Sequence, residues 1–385
     1  MAAVELTDLM ALTTAVEARR PLFLSDLQSL VDLDCGSYDK AGVDAVGRIV
    51  TTRLEADGWS VERLPDDTWG DTLVATIDGG GPGHSVLMGH LDTVFEAGTA
   101  AARPFRIEDH IAYGPGVTDC KAGVLAGVNA VAALRGTAFG KVTFLLTPDE
   151  EVGSPSSRGH IETYAKGADA AFCLECARAN GDLVKARKGV VDLVVDIQGR
   201  AAHAGVEPEK GRSAALDAAH TVVALHALNG RWPGVTVNVG VIHGGTRPNI
   251  VCPSVRLEVD VRAVELATFE TAVAEVERVA LEVHVTDVTK TVTRAATHPP
   301  MEPTADGEVL VARALKLAAE LGISTSACTT GGAADANTTS ALGVPTLDGL
   351  GPVGGDDHAP TEWLDTRTIT PRTTLLAALI ATVGT

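Results

Sequence analysis

SVLMGHLDTVFE, residues 85–96, is the stretch around which the rest of the chain is arranged. Its apolar run Val86–Met88 is typical of a buried strand, and the polar residues after it are typical of the loop at the strand's carboxyl end. His90 and Asp92 are two residues apart, so an extended backbone directs both side chains to the same side. A histidine beside a carboxylate is a frequent pairing of a metal ligand with the group that orients it. On this stretch alone, a surface histidine next to a turn aspartate is an equally good interpretation.

Composition limits the classes of protein that the chain can belong to. Its 385 residues exceed what one compact core usually holds, so two domains are expected. The net charge of -19, from 50 acidic and 31 basic residues, argues against a nucleic-acid partner and against an anionic membrane partner. No apolar run approaches the roughly 18 residues of a membrane span, so no membrane partner is expected.

The amino-terminal segment and the cysteines predict a cytoplasmic protein. The first residues lack a basic segment followed by an apolar core, so no secretory signal is expected. Six cysteines are dispersed along the chain, which favours reduced thiols over a disulfide framework. Cys173 and Cys176 match a C-x-x-C pattern, but no second such pair exists, so we expect them to pack beside a site rather than act as a redox pair or half of a zinc ribbon.

Strands and helices alternate in the first part of the chain. This alternation predicts an α/β fold with a mostly parallel sheet sandwiched by helices. From about residue 183 the pattern changes to four strands with two helices, which indicates an inserted ferredoxin-like α+β domain. The predicted boundaries are therefore 1–182 and 297–385 for a split catalytic domain and 183–296 for the insertion. The individual predictions include two helices over 3–33 broken near Arg20–Pro21, a helix over 44–58 and a strand over 284–294.

Several predicted strand ends carry side chains that bind metals. They are His90, Asp119, Glu150, Glu151, Glu175 and His358. Two histidines among carboxylates suit a divalent ion, with zinc favoured by the imidazoles. A solvated carboxylate is the ordinary state of any single acid, but four acids in strand-end loops, two of them adjacent, make that explanation weak for the set.

Glu150 and Glu151 are adjacent, and we expect them to have different roles. On an extended backbone their side chains point to opposite sides. One can then bind metal while the other takes a proton from metal-bound water, as a two-metal hydrolase requires. Asp119 lies in a Gly/Pro-rich turn, where an unusual backbone could hold its carboxylate between two ions.

A set of motifs covers nearly the whole chain in order. They are GSYDKAGVDAVG (36–47), GHLDTVF (89–95), GPGVTDCKAG (114–123), PDEEVGS (148–154), LEC (174–176), GRAAHAG (199–205), PNIV (248–251), DVR (260–262), GGAADAN (331–337) and HAPTEW (358–363). Together they resemble the zinc-dependent aminoacylase/carboxypeptidase family of metallopeptidases, and most of all its glutamate carboxypeptidase branch.

The resemblance implies a role for each candidate residue. Two zinc ions per subunit are implied, with Co²⁺ or Mn²⁺ as alternatives. Asp119 would bridge the two ions. The ligands of one ion would be completed by His90 and Glu175, and those of the other by Glu151 and His358. Glu150 would be the general base, and Asp92 would orient His90. In the inserted domain, which would be the lid and the homodimer interface, His203 would stabilise the oxyanion in the partner subunit's active site. Asn249 and Arg262 would contact the substrate carboxylate. Without the resemblance, His203 is an ordinary turn histidine and Arg262 an ordinary salt-bridged strand residue.

The implied function is that of a metallohydrolase cleaving an amide bond next to a free carboxylate in a small molecule or short peptide. A carboxypeptidase releasing C-terminal glutamate is the leading hypothesis, and an N-acyl amino acid deacylase or a dipeptidase is the alternative. A non-catalytic binding protein and a zinc-stabilised structural protein are the interpretations from other classes. Cys120 and Cys176 depart from the family pattern, in which an acid or Met commonly follows the bridging Asp and Pro commonly follows the terminal Glu ligand.

Overall fold

The computed structural model describes residues 6–385 and divides into two units. The first unit contains the described residues through Lys185, together with Pro303–Thr329 and Ala334–Thr385. The second contains Ala186–Glu302 and Thr330–Ala333, whereas the sequence predicts an inserted domain over 183–296. None of the described helices has both the length and the apolar character that crossing a membrane requires.

The helices differ in length and burial. In chain order they are α1 (Leu6–Val31), α2 (Lys40–Ala56), α3 (Thr99–Ala102), α4 (Ala122–Ala133), α5 (Arg158–Ala165), α6 (Ala214–His226), α7 (Leu266–Ala280), α8 (Ala305–Glu320), α9 (Ala336–Ala341) and α10 (Ile369–Ala381). Helix α4 is rich in small residues and is buried along nearly its whole length, so neighbouring backbone can approach it closely.

The strands of the described residues form four sheets. In chain order they are β1 (Ser60–Leu64), β2 (Thr72–Asp78), β3 (His84–His90), β4 (Arg106–Glu108), β5 (Ile111–Tyr113), β6 (Lys141–Thr147), β7 (Ala170–Cys173), β8 (Leu183–Arg187), β9 (Gly189–Gln198), β10 (Thr236–Gly244), β11 (Ser254–Ala263), β12 (Thr289–His298), β13 (Ala327–Thr330), β14 (Thr346–Leu347), β15 (Gly354–Gly355) and β16 (Trp363–Asp365).

The central sheet of the first unit is mostly parallel, as predicted. Its order is β1-β2-β6-β3-β7-β14, and only β2 runs against its neighbours. The inner strands are apolar on both faces, which is the pattern of a parallel sheet covered by helices. Because β3, β6 and β7 are parallel neighbours, the polar residues after them meet at one edge of the sheet.

The predicted break near Arg20–Pro21 is wrong, because α1 runs through Pro21 without interruption. Residues 3–5 of the predicted helix lie outside the described part of the chain. A proline removes one helical hydrogen bond and normally kinks a helix. Here Val16, Phe23 and Leu27 are buried in the core on both sides of the proline, so tertiary packing maintains the helix.

Two other predicted boundaries are also wrong. Helix α2 begins at Lys40 rather than residue 44, because the Asp39 side chain caps it by accepting a hydrogen bond from the Gly42 N–H at 3.1 Å. The strand predicted over 284–294 is β12, Thr289–His298. The N–H groups of His284 and Val285 bind the Asp217 carboxylate instead of a neighbouring strand.

The second unit has the predicted ferredoxin-like topology. Its elements follow the order β9-α6-β10-β11-α7-β12, and its antiparallel sheet has the order β10-β11-β9-β12. Valine and leucine side chains of β9 and β11 form its core with α6 and α7.

A buried ion pair ties α6 to β12. Lys290 Nζ lies 2.7 Å from Asp217 Oδ1, and the two side chains are 1% and 0% exposed. Asp217 also accepts the N–H groups of His284 and Val285, and Lys290 donates to Thr221 Oγ1 at 2.6 Å. Each charge is thus compensated by the other and by hydrogen bonds, so loss of one partner would leave a buried charge.

We predict that Lys290→Met lowers the free energy of unfolding of the second unit by about 3 kcal/mol, because it leaves the Asp217 carboxylate buried without its cation. Arg294→Met on the same strand is the matched control, since Arg294 is 52% exposed and its pair with Glu277 should contribute well below about 1 kcal/mol. Urea unfolding of the two variants measures the difference. An equal loss of unfolding free energy in both variants would contradict the importance of the buried Lys290–Asp217 pair.

Candidate metal centre

His90 is the last residue of β3 and is almost completely buried. Its Nδ1 donates to the backbone carbonyl of Asp92 at 3.0 Å and lies 3.3 Å from the Asp92 carboxylate. The Asp92 carboxylate is itself held by Ser37 Oγ, which donates to it at 2.6 Å. These contacts fix the imidazole and leave Nε2 as the nitrogen that faces the other acids.

Asp119 lies between the two histidines. Its Oδ1 is 2.9 Å from His90 Nε2, and its Oδ2 is 3.2 Å from His358 Nε2. Glu175 completes the first group, with Oε1 3.7 Å from His90 Nε2. Glu151 completes the second group, with Oε2 3.1 Å from His358 Nε2. The site thus contains two His/Glu pairs, His90 with Glu175 and His358 with Glu151. The Asp119 carboxylate lies next to the histidine of each pair.

Acidic charge is in excess at this site. Burial lowers the pKa of His90, but the negative charges of Glu175 and Asp119 outweigh it and raise that pKa well above its usual range. Hydrogen bonds to Asp119 and Glu151 raise the pKa of His358 to about 10. Burial, followed by the charge of Glu175, raises the pKa of Glu150 well above its usual range. The site therefore attracts positive charge strongly.

The donor set fits divalent metal ions. Imidazole nitrogens and carboxylate oxygens are the ligands that zinc takes in open, catalytic sites. His90, Asp119 and Glu151 offer ligand atoms that all lie within 4.8 Å of one another. The two oxygens of the Asp119 carboxylate face different imidazoles, Oδ1 that of His90 and Oδ2 that of His358.

Glu150 and Glu151 do not lie on extended backbone, so the backbone conformation assumed in the prediction is wrong. They form a short 3-10 turn, Glu150–Val152, immediately after Asp149. The backbone N–H groups of both residues lie 3.3 Å from the Asp92 carboxylate, and this attraction curls the chain at the end of β6. The same carboxylate that orients His90 thereby also positions the Glu150–Glu151 pair.

Glu362 is a site residue to which the sequence assigned no role. Its buried carboxylate accepts hydrogen bonds from the N–H groups of Gly116 at 2.8 Å, Thr118 at 2.9 Å and Asp119 at 3.2 Å. Burial raises its pKa to about 7. These bonds hold the turn that presents Asp119. The sequence around Glu362 does not indicate which groups its carboxylate binds, because those backbone N–H groups lie more than 240 residues away along the chain.

Asp335 is a second such residue, within the motif GGAADAN. It is buried and accepts hydrogen bonds from Thr147 Oγ1 at 2.8 Å and Ser154 Oγ at 2.5 Å. Burial raises its pKa to about 6. These bonds connect the end of β6 to the segment after Glu150 and Glu151.

The two cysteines that depart from the family pattern are buried at the site. Cys120 Sγ donates to the Leu174 carbonyl at 3.2 Å, and Cys176 Sγ lies 3.5 Å from the Asp357 carboxylate. Burial raises the pKa of both thiols well above the usual range. Among the described residues no disulfide forms, so Cys173 and Cys176 are not bonded to each other.

The remaining predicted residues belong to the second unit. His203 is exposed, and its Nδ1 accepts the Gly205 N–H at 3.2 Å. Asn249 is exposed, and its backbone carbonyl accepts the Ala204 N–H at 3.0 Å. Arg262 pairs with Asp260 on its own strand at 2.9 Å and donates to the Gly331 carbonyl at 2.8 Å.

Comparison with known proteins gives this geometry a family context. Carboxypeptidase G2 from Pseudomonas sp. (strain RS-16) is 31% identical over 383 residues, which cover 96% of this chain and 91% of that protein. Acetylornithine deacetylase from Salmonella arizonae is 29% identical over 265 residues, which cover 63% of this chain and 68% of that protein. The crystal structure of aminopeptidase PepT from Bacillus cereus matches with a TM-score of 0.76 and 25% identity, covering 94% of this chain and 98% of that one.

The family match extends over most of the chain. Residues 86–382 match the family described as peptidase family M20/M25/M40, a span that contains every candidate ligand. This family is metal-dependent, and the groups of described residues that could hold a metal ion, each of which includes His90, agree with that. Hydrolysis of amide bonds is the activity that the family and the relatives share. The chain therefore belongs to peptidase family M20/M25/M40.

Proposed function

We propose that the protein is a two-zinc carboxypeptidase that hydrolyses the amide bond beside a C-terminal glutamate. The observation that carries the proposal is the Asp119 carboxylate, whose oxygens lie 2.9 and 3.2 Å from the two imidazoles. His90 and Glu175 would hold one ion, and His358 and Glu151 the other, with Co²⁺ or Mn²⁺ as alternatives to zinc. Bound ions would lower the pKa of a water molecule and polarise the scissile carbonyl.

Glu150 would move the proton. Its carboxylate would take a proton from the attacking water and return it to the leaving amine nitrogen. The Glu150 N–H lies 3.3 Å from the Asp92 carboxylate, so the base is held by the group that also orients His90. This shared contact with Asp92 would hold the Glu150 base and the His90 ligand in fixed positions relative to each other.

The second unit would supply the substrate contacts. Because His203 Nδ1 accepts a hydrogen bond, its proton is on Nε2, which would donate to the oxyanion in the active site of a partner subunit. A homodimer formed through this unit is part of the proposal. Asn249 and Arg262 would bind the substrate carboxylate, with Arg262 exchanging its Asp260 partner for the substrate.

Glutamate release is supported by the motif order and by the 31% identity to carboxypeptidase G2. The second candidate is removal of an acyl group from another amino acid. It is favoured by the 29% identity to an acetylornithine deacetylase. Both candidates use the same chemistry and differ only in the groups on either side of the amide.

Glu150→Gln should lower kcat at least about 100-fold, because the glutamine side chain cannot accept the proton of the attacking water. The metal content should stay unchanged, because residue 150 is not one of the proposed ligands. Glu162→Gln, at an exposed glutamate of α5, is the control and should behave like the wild type. Steady-state kinetics and elemental analysis measure the two properties. Hydrolysis near the wild-type rate would show that Glu150 is not the base.

Among N-acyl glutamates, N-acetylornithine and dipeptides, we expect the highest kcat/KM for release of glutamate. A chelator should abolish the activity, and added zinc should restore it, because the carboxylate-rich site needs cations to position water. Preference for N-acetylornithine would replace the carboxypeptidase proposal with the deacylase one. Activity that survives the chelator would contradict the metal-dependent mechanism.

Mixing inactive His203→Ala and Glu150→Ala proteins should recover part of the activity if His203 acts on the partner's site. A hybrid dimer then contains one site in which both residues are intact. Subunit exchange is verified with a tagged copy of one protein. Hybrid dimers that form without any recovered activity would contradict action across the interface.

A further inference from the structure

Two buried thiols lie next to candidate metal ligands in the first unit. Cys120 follows Asp119 in the chain and is 0% exposed, and Cys176 follows Glu175 and is 2% exposed. The family resemblance places an acid or Met at the first position and Pro at the second. An ionised acid, a methionine and a proline donate no side-chain hydrogen bond, whereas a thiol does. The donors at both positions are therefore a feature of this chain.

Cys120 connects the three residues assigned to one ion. Its Sγ donates to the carbonyl of Leu174, the residue before Glu175, at 3.2 Å. The same sulfur accepts the backbone N–H of His90. Because Cys120 also adjoins Asp119, one side chain ties together the main chain at Asp119, at His90 and beside Glu175.

The sulfur of Cys120 is packed closely. A Cβ on Gly123 would lie 3.1 Å from it and 1.8 Å from the Leu174 carbonyl oxygen. Helix α4 can therefore approach the end of β7 only because residue 123 has no side chain. In such close packing the thiol keeps the same two hydrogen-bond partners.

Cys176 makes the corresponding connection for the other ion. Its Sγ lies 3.5 Å from both carboxylate oxygens of Asp357, the residue before His358. Arg178 fixes the main chain at this point, since its Nη2 donates to the Cys176 carbonyl at 3.2 Å. The thiol thus joins the chain after Glu175 to the loop that carries His358.

The loop that carries His358 depends on contacts of this kind. Asp356 and His358 have φ angles of 57° and 64°, which residues other than glycine rarely adopt. Such a backbone persists only where its surroundings hold it. The His358 side chain is 54% exposed, so packing around the ring supplies little of that support. Thr361 Oγ1 donates to Asp356 from within the loop at 2.9 Å, and Cys176 connects the loop to the segment after β7.

We propose that Cys120 and Cys176 are positioning residues, each for a different metal ion. Cys120 holds the three proposed ligands of the ion at His90 in fixed relative positions, and Cys176 holds His358 for the other ion. The inference rests on the proposed function for the two-ion centre and deepens it. Groups that orient metal ligands without binding the metal change metal affinity by roughly 10- to 100-fold when they are replaced.

Zinc titration of the metal-free protein in competition with a chromophoric chelator measures the two dissociation constants. Anomalous diffraction from crystals grown at limiting zinc shows which ion is bound more weakly. Cys120→Ala should raise the dissociation constant of the ion at His90 about tenfold, and Cys176→Ala that of the ion at His358. Each variant should change the constant of the other ion less than about threefold, so each is the matched control of the other.

Cys120→Ser and Cys176→Ser keep a donor and should recover most of the affinity. Circular dichroism of the metal-free variants verifies that each is folded. Cys120→Val and Cys176→Val fill the space without a donor, and they replace any alanine variant that does not fold. Cys173→Ala removes a buried thiol within β7 and should leave both dissociation constants unchanged.

Dissociation constants that neither Cys120→Ala nor Cys176→Ala changes would overturn the proposal. So would equal weakening of both ions by each variant, or by Cys173→Ala, because that is the result of general destabilisation. Cys120 Sγ lies within 4.8 Å of ligand atoms of His90 and Glu175, so direct coordination is the competing role. A sulfur-to-cobalt charge-transfer band in the Co²⁺-loaded protein, lost in Cys120→Ser, would show coordination and overturn the positioning role.

Failure of the proposed function is distinguishable from failure of this inference. A wild-type protein that binds a single ion would overturn the two-ion function. The effect of Cys120→Ala on an ion at His90, or of Cys176→Ala on an ion at His358, would still test the positioning role. The zinc titration needs no substrate, so the identity of the amino acid released does not enter the result.

Discussion

The carboxylate of Asp119 faces two imidazoles at once, and the rest of the site is arranged to keep it there. Glu362 accepts the Asp119 N–H together with two other N–H groups of the same turn, which fixes the backbone of the bridging residue. Asp92 fixes the His90 ring and binds the N–H groups of Glu150 and Glu151. Asp92 and Glu362 are buried carboxylates to which no metal is assigned. They position the residues that would bind the ions. The mostly parallel sheet makes this arrangement accessible, because β3, β6 and β7 end at the same edge.

The excess of acidic charge explains why the site is suited to cations. Burying several carboxylates within a few ångströms is costly unless positive charge compensates them, and two histidines compensate them only in part. Binding of divalent ions would remove this cost, so metal affinity and the stability of the first unit are coupled.

Much of this arrangement could be predicted from the sequence. Strand ends predicted that candidate metal-binding side chains lie at one edge of a sheet, and the order of strands and helices after residue 183 predicted the ferredoxin-like topology. The failures have a common physical cause, since tertiary contacts overrode local preference. Core packing carried α1 through Pro21, and the Asp92 carboxylate curled the backbone at Glu150 and Glu151 into a 3-10 turn. Glu362 had no local signal because its partners are backbone groups, which every residue type offers. The catalytic, metal-binding and substrate-binding roles of all the candidate site residues stay predictions.

Anomalous diffraction at the zinc absorption edge, on crystals grown with zinc, tests the central claim most directly. The account predicts two zinc peaks per chain, one on each side of the Asp119 carboxylate, with His90 and Glu175 at one and His358 and Glu151 at the other. Replacing Asp119 by Asn should weaken both peaks, because the amide offers only one oxygen. A single peak, or zinc bound away from Asp119, would contradict the two-ion centre.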